Sequence, residues 1–268
     1  MSKDTLKGFQ DTDHASDSKN LFRFLDAADS MEFVQVCKRQ MLDLCPVQEG
    51  HYILDVGCGV GHEVQRMAQG VGQSGRVVGI DHNESMIAEA QRRAKGLSFP
   101  VEFYVGDAQR LDFDRDSFDL SRSERVIEYL ENPQQMLAEM VRVVRPGGAI
   151  INFDFDYDGF ILDATDRESM RRMKQAIFDS VPSGGIGSQL PRLYHQLGLR
   201  DIQIIPQVFT PPYSAYERLS RGTLEKTMKA EKISTSELEA WWRDLEQANQ
   251  DGRFFAAYLG FIVSGRKP

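Results

Sequence analysis

The sequence predicts an α/β fold, a doubly wound sheet carrying helices on both faces. Three observations predict it. Short apolar runs alternate with segments of helical period from residue 51 to residue 156. The first apolar run ends in closely spaced glycines, Gly57, Gly59 and Gly61, just before a helical segment. The 268-residue composition is that of an ordinary globular chain, 41% hydrophobic and 27% charged, so it can bury a full core.

The elements follow in order. Residues 21–44 place Leu21, Phe24, Leu25 and Ala28, then Phe33, Val34, Cys37, Met41 and Leu44, at helical spacing, which predicts two helices broken near Asp29-Ser30. HYILDVG (51–57) reads as a buried strand and HEVQRMAQG (62–70) as a helix with Val64, Met67 and Ala68 inward. RVVGID (76–81) is a second strand, and SMIAEAQRRA (85–94) a helix with Met86, Ile87 and Ala90 inward. VEFYVGD (101–107) and FDLSRS (118–123) are the third and fourth strands. PQQMLAEMVRVV (133–144) is a helix opened by Pro133. GAIINFDFD (148–156) is the fifth strand.

The second half is less regular. It predicts a helix over 166–180, a glycine-rich segment over 181–187, a helix over 188–197 and a strand over 201–210. Pro211-Pro212 breaks the chain, 213–250 is mostly helical, and RFFAAYLGFIVSG (253–265) is a last strand or a hairpin edge. The first 20 residues are polar and read as a mobile tail. Residues 21–268 are expected to form a single domain, with its core over 45–210 and 253–268 and a helical cap inserted over about 211–252.

Composition excludes several classes. Three Cys cannot form a disulfide scaffold or a four-Cys zinc site. A net charge of −8 argues against a general nucleic-acid binder. No apolar stretch approaches the roughly 20 residues that span a membrane, and the N-terminus has no secretory apolar run. A cytoplasmic protein, monomer or homodimer, is expected.

The chemistry gathers at Leu54-Asp55-Val56-Gly57-Cys58-Gly59-Val60-Gly61. Glycines there let the backbone turn and let a ligand approach without a Cβ in the way. In open α/β sheets such loops lie at the carboxyl ends of the strands, where ligands bind. The dinucleotide pattern G-x-G-x-x-G fails, because position 62 is His62 and position 64 is Val64. What stands is G-x-G-x-G with Asp55 two residues before it.

This motif resembles that of the class I S-adenosylmethionine-dependent methyltransferases, and further stretches resemble the family in order. VVGID ends in Asp81, HNESMIAEAQRRA (82–94) follows it, then come GDAQRLDF (106–113), SFDLSRSERVIEYLENP (117–133) and RVVRPGG (142–148). The likeness is close over about 45–156 and loose beyond.

The resemblance implies a Rossmann-like seven-stranded sheet of order 3-2-1-4-5-7-6 with the last strand antiparallel, and S-adenosyl-L-methionine as cofactor. It implies Asp81 on the ribose diol, Met86 against the adenine, Asp107 on the exocyclic amine and Ala108 leaving room for it. Asp55, Gly57, Cys58, Gly59, Gly61, His82, Arg122 and Arg125 complete the expected cofactor-binding set. Backbone N–H groups of 57–61, at a helix N-terminus, are expected to hold the cofactor carboxylate.

The acceptor is narrowed by absences. The nucleobase-amine motif N/D-P-P-Y/F/W has no counterpart where Ser121-Arg122-Ser123-Glu124 stands, and there is no Pro-Cys pair, only Cys45-Pro46 in reverse. No metal site like that of the catechol O-methyltransferases is expected. Arg122-x-Glu124-Arg125-Val126, Tyr129-Leu130 and Asn132-Pro133 resemble the quinone-biosynthesis and small-metabolite methyltransferases, in which a His commonly stands where Tyr129 does. A small-molecule acceptor is therefore expected.

Asp154 and Asp156, on one face of the fifth strand near its carboxyl end, and His195 are the candidate catalytic groups; a solvent-facing strand end and a surface His are the plain readings. Residues 183–187 read equally as a lid or a connector. Tyr213, Tyr216, Trp241 and Trp242 are expected to pack the cap rather than line a pocket, and Phe22 and Phe24 to close the site from the N-terminal side. A nicotinamide oxidoreductase, a non-catalytic cofactor-binding protein and a protein methyltransferase are the competing readings.

Overall fold

The computed structural model describes residues 15–230 and 234–268. Helices α1 (Ala15–Asp29) and α2 (Glu32–Leu44) precede an alternating series. It runs β1 (Tyr52–Val56), α3 (His62–Val71), β2 (Arg76–Asp81), α4 (Glu84–Ala94), β3 (Val101–Val105), β4 (Phe118–Glu124), a 3₁₀ turn (Ile127–Tyr129), α5 (Pro133–Val143) and β5 (Val144–Leu162). Then come α6 (Arg167–Asp179), α7 (Ile186–Gln196), β6 (Arg200–Phe209), α8 (Tyr213–Ala230), α9 (Thr235–Gln250) and β7 (Ala256–Arg266).

The seven strands form one sheet of order β3-β2-β1-β4-β5-β7-β6, as the resemblance implied. β1 to β5 are parallel, and β7 runs antiparallel to both its neighbours. β7 is thus an interior strand, not a hairpin edge. Two apolar clusters fill the faces. One packs Leu54, Val78, Met136, Leu137, Met140 and Ile150 under α5 and α7, the other Ile53, Val64, Met67, Val77, Ile87 and Ile151 under α3 and α4.

Several boundaries depart from expectation for physical reasons. α1 begins at Ala15, inside the stretch read as a tail, because Leu21 and Ala28 are buried and Ser18 bonds Ser85 on α4 at 3.1 Å. Residues 1–14 of that tail lie outside the described residues. β5 runs on to Leu162 rather than ending at 156. After an irregularity between Asp156 and Ile161 it pairs again with Ala256 and Ala257. That extension buries Tyr157, Phe160 and Leu162 in a third cluster with Met173, Tyr216, Trp241 and Trp242. The aromatic residues of α8 and α9 thus pack, as expected; Phe160 stacks on Tyr216 at 6.2 Å.

A buried polar chain crosses the sheet. Asn152 on β5 donates to Ser123 Oγ on β4, and Tyr194 on α7 donates to Asn152 Oδ1 and, at 3.0 Å, to the Val263 carbonyl on β7. Tyr194→Phe keeps the ring and strands these acceptors. It is expected to lower unfolding free energy by about 1–3 kcal/mol, read from urea denaturation; an unchanged midpoint would show the chain to be dispensable.

Candidate active site

A cavity of about 500 Å³ opens at the carboxyl ends of β1, β2 and β4. The glycine turn builds its floor. Gly57, Gly59 and Gly61 all have positive φ, 76°, 53° and 82°. A Cβ on Gly57 would lie 2.3 Å from Val126 Cγ2, so the loop after β4 rests directly on the glycine turn. A Cβ on Gly61 would lie 2.7 Å from the Phe103 ring, which makes Gly61 a packing residue, and it is absent from the cavity wall.

The turn's amides are largely committed. Gly57 and Cys58 N–H donate to the Ile80 carbonyl, Gly59 N–H to Asp81 Oδ2 at 2.9 Å and Gly61 N–H to the Cys58 carbonyl. This corrects the expectation that amides 57–61 as a set hold a carboxylate. The first-turn amides of α3 have no intrahelical acceptor, and Gly61 offers no capping side chain, so that helix end suits an anion instead.

The other cofactor candidates fall around the same space. Asp55, Gly57, Cys58, Gly59, Asp81, His82, Met86, Asp107, Ala108, Arg122 and Arg125 all line the cavity. Asp81 uses one lone pair of each oxygen, on Gly59 N–H and, at 3.0 Å, on Asn83 N–H. A carboxylate has about four such sites, so acceptor capacity is left for a diol. Asp107 accepts from Gln109 N–H at 2.8 Å. Met86 packs with Leu21 and Val60, which brings α1 over the cavity. Phe24 lines it, as the N-terminal reading expected.

Beneath the turn lies a buried ionic cluster that sequence reasoning did not assemble. Asp55 and Arg122 are paired residues of the β1–β4 ladder. Arg122 Nη1 meets Asp55 Oδ1 at 3.1 Å, and Nη2 meets Glu124 Oε2 at 2.9 Å. Lys38 on α2 pairs with Asp29 and, at 3.1 Å, with Glu63. Arg125 pairs with Glu124 at 3.3 Å. Burial pushes Asp55 up to about 6 against the pull of Arg122. Burial raises Glu124 too, but Lys38, Arg125 and Arg122 outweigh it and hold the carboxyl below its usual range. Lys38 was legible in principle, since it sits in the buried stripe of α2 beside Val34, Cys37 and Met41.

The three catalytic candidates are not on the cavity wall. Asp154 is buried with no exposure, and its Oδ1 accepts from Val126 N–H at 3.0 Å and Glu128 N–H at 3.2 Å. Asp156 is buried and accepts from Ser188 N–H at 2.7 Å. The strand face they share turns toward the 3₁₀ turn and α7, where their carboxylates shape backbone. His195 is exposed in the last turn of α7. The segment 183–187 is buried rather than mouth-lining. Ser183 donates to the Glu128 carbonyl through N–H and to the Leu130 carbonyl through Oγ, and Gly184 accepts from Tyr157 N–H. Glu128, Tyr157, Phe209, Ser220 and Tyr258, which the sequence did not single out, do reach the cavity.

Removing Arg122 is the sharp test of the cluster. Arg122→Met leaves Asp55 and Glu124 buried without their partner, which is expected to cost about 3–5 kcal/mol near pH 7.5. Asp55 titrates higher folded than its unfolded value of about 4, so its contribution to stability falls as pH rises from about 4 through 6. The deficit of the variant should therefore shrink at pH 5, where Asp55 takes a proton. A deficit independent of pH in urea denaturation would refute the electrostatic account.

The comparisons agree with this geometry. Residues 48–196 match a family model described as a methyltransferase domain. A 37.1 kDa protein of transposon Tn4556 from Streptomyces fradiae is 33% identical over 245 residues, which is 90% of this chain and 69% of that protein. A demethylmenaquinone methyltransferase from Bacillus cereus is 26% identical over 188 residues, 64% of this chain and 79% of that one. A Haemonchus contortus phosphoethanolamine N-methyltransferase 2, solved with phosphomonomethylethanolamine and S-adenosylhomocysteine, superposes with a TM-score of 0.63 at 19% identity. That likeness covers 100% of this chain and 61% of the other, and it is one of fold. With the glycine turn, the Asp81 carboxylate and the sheet order in the family's arrangement, the chain belongs to the class I S-adenosylmethionine-dependent methyltransferases.

Proposed function

We propose that the chain transfers the methyl group of S-adenosylmethionine to a small-molecule acceptor by in-line displacement. One observation carries the reading: one continuous cavity runs from the Asp81 carboxylate and the glycine turn to an aromatic end. Phe33, Phe155, Tyr157, Phe209 and Tyr258 line that end, with Phe33 and Phe209 stacked at 4.8 Å. A pocket of this size and lining suits a compact, largely apolar molecule. The relatives' names also point to small molecules, a demethylmenaquinone and phosphoethanolamine.

The residues fit the cofactor. Gly57 and Gly59 leave the floor free of side chains, Asp81 has acceptor capacity for a ribose, and Ala108 is small where an adenine would lie. When bound, S-adenosylmethionine supplies an electrophilic methyl on a sulfonium. The protein's part is to bind, orient and exclude water. α1 closes one wall with Leu21, Phe24 and Leu25, and acidic groups at the floor suit a cation. The extended reading also holds residues 211–252 to be a cap on a single domain, acting in the cytoplasm as a monomer or homodimer.

Calorimetric titration tests the cofactor side. S-adenosylmethionine and S-adenosylhomocysteine are expected to bind, and NADH is not. Asp81→Ala should weaken binding at least tenfold, because a buried diol loses its acceptor and Gly59 its anchor. Unchanged affinity would remove Asp81 from the site.

A further inference from the structure

At the aromatic end of the cavity stands a carboxylate with two phenolic donors. Glu128, 1% exposed, sits in the 3₁₀ turn and lines the cavity. Tyr157 Oη donates to its Oε1 at 3.3 Å, the Phe155 N–H donates to its Oε2 at 3.2 Å, and the Tyr129 hydroxyl also donates to it. Glu128 has no direct ion pair among the described residues, although Arg125 lies near enough to pull on its charge. The position is fixed from every side. Asp154 receives the Glu128 N–H, Ser183 N–H donates to the Glu128 carbonyl, and Arg125 holds φ 56° at the entry to the turn. A left-handed non-glycine residue beside a cavity is strain of the kind that sites maintain. Because Val126 rests on Gly57, this turn adjoins the floor where the reactive methyl would be presented.

We propose that Glu128 is a catalytic base, that the acceptor is an aromatic alcohol, and that the methyl goes to its oxygen. This rests on the methyltransferase reading above. The acceptor O–H gives its proton to the Glu128 carboxylate. The oxygen's electron pair forms the bond to the methyl carbon, and the carbon–sulfur bond breaks with its pair remaining on sulfur. The products are an aryl methyl ether, S-adenosylhomocysteine and a protonated Glu128 that releases its proton to water.

The groups facing Glu128 support the role. Arg125 from the loop, Tyr129 from the turn, and Asp154 and Tyr157 from β5 surround it. Burial raises Glu128 above the ordinary glutamate range, while the Tyr129 and Tyr157 hydroxyls, the Phe155 amide and Arg125 partly offset that rise. Burial and the neighbouring Glu128 charge push Asp154 well up, while the Val126 and Glu128 amides partly offset that rise. A carboxylate whose proton affinity is raised is a stronger base than a free one.

The probes are 2-naphthol, whose hydroxyl titrates near tyrosine's value of about 10, and 2-naphthalenethiol, which ionises by itself near neutral pH. The wild type is expected to methylate both from labelled S-adenosylmethionine. Glu128→Gln should lower naphthol methylation at least 100-fold and leave thiol methylation within about threefold. It should also weaken 2-naphthol binding to the S-adenosylhomocysteine complex at least tenfold, read by calorimetry. Tyr129→Phe removes a donor that stabilises the charged carboxylate, so the acidic limb of the kcat/KM profile for naphthol should move to higher pH. The proposal is overturned if Glu128→Gln spares the naphthol rate, if both rates fall together, if the acidic limb does not move, or if the wild type binds S-adenosylhomocysteine but methylates no naphthol. Failure to bind S-adenosylhomocysteine would instead sink the methyltransferase reading itself.

Discussion

The structure around the cavity depends on the pairing of Asp55 with Arg122. They face each other across the β1–β4 ladder, and both are buried. Neither charge is tolerable there alone. Arg122 has a second hand on Glu124, and Glu124 in turn draws Lys38 and Arg125. Lys38 brings α2 with it, and its bond to Asp29 fixes the break between α1 and α2. The angle at which α1 leaves that break decides which residues cover the cavity. A charge pair inside the sheet therefore sets the position of an apolar wall formed by Leu21, Phe24 and Leu25.

Asp81 has a comparable double duty. Its carboxylate holds the glycine turn through Gly59 and starts α4 through Asn83, whose own side chain caps Ser85 and Met86. The proposed ribose recognition and the loop shape would thus share one group. A cofactor that bonds Asp81 acts on a carboxylate already positioned by two amides, so little conformational entropy is lost on binding. The same economy explains why the turn's amides are mostly occupied. The loop is rigid before anything binds, and the anion is left to the uncapped start of α3.

Much of this was legible in the sequence. Strands with period-free apolar runs, glycines at the first strand end and an acid at the second read directly as order and site, because each has a local cause. Asp55, Asp81, Met86, Asp107 and Ala108, singled out from sequence, line the same cavity. What failed were readings that needed tertiary partners. Asp154 and Asp156 alternate correctly on β5, yet which face meets the cavity depends on α7 and the 3₁₀ turn packing against the other side. Sequence left lid and connector equally open for 183–187, and only the fold shows its glycines docking closely against Tyr157 and Phe178. Glu128 lies in a short turn with no periodicity to mark it, so only its three-dimensional neighbours distinguish it.

The location of the acceptor end carries a consequence for specificity. Among the described residues of α8 and α9, only Ser220 reaches the cavity, where its hydroxyl lies 3.1 Å from that of Tyr258. The bulky Tyr216, Trp241 and Trp242 are spent on holding the extended end of β5. Phe155 and Tyr157 on β5, Phe209 on β6 and Tyr258 on β7 join Phe33 of α2 in the aromatic wall, so most of the surface that the proposed acceptor would meet belongs to the sheet. Phe155 is registered against Gly260 of β7, and Phe209 of β6 against Tyr258, so these side chains have less freedom than loop residues. Discrimination by such a wall comes from shape and from a few fixed polar groups, and it does not need the helices to close on each substrate. The helices beyond β6 act on specificity at one remove: they keep β5 extended past its bulge, and so keep Tyr157 in reach of Glu128.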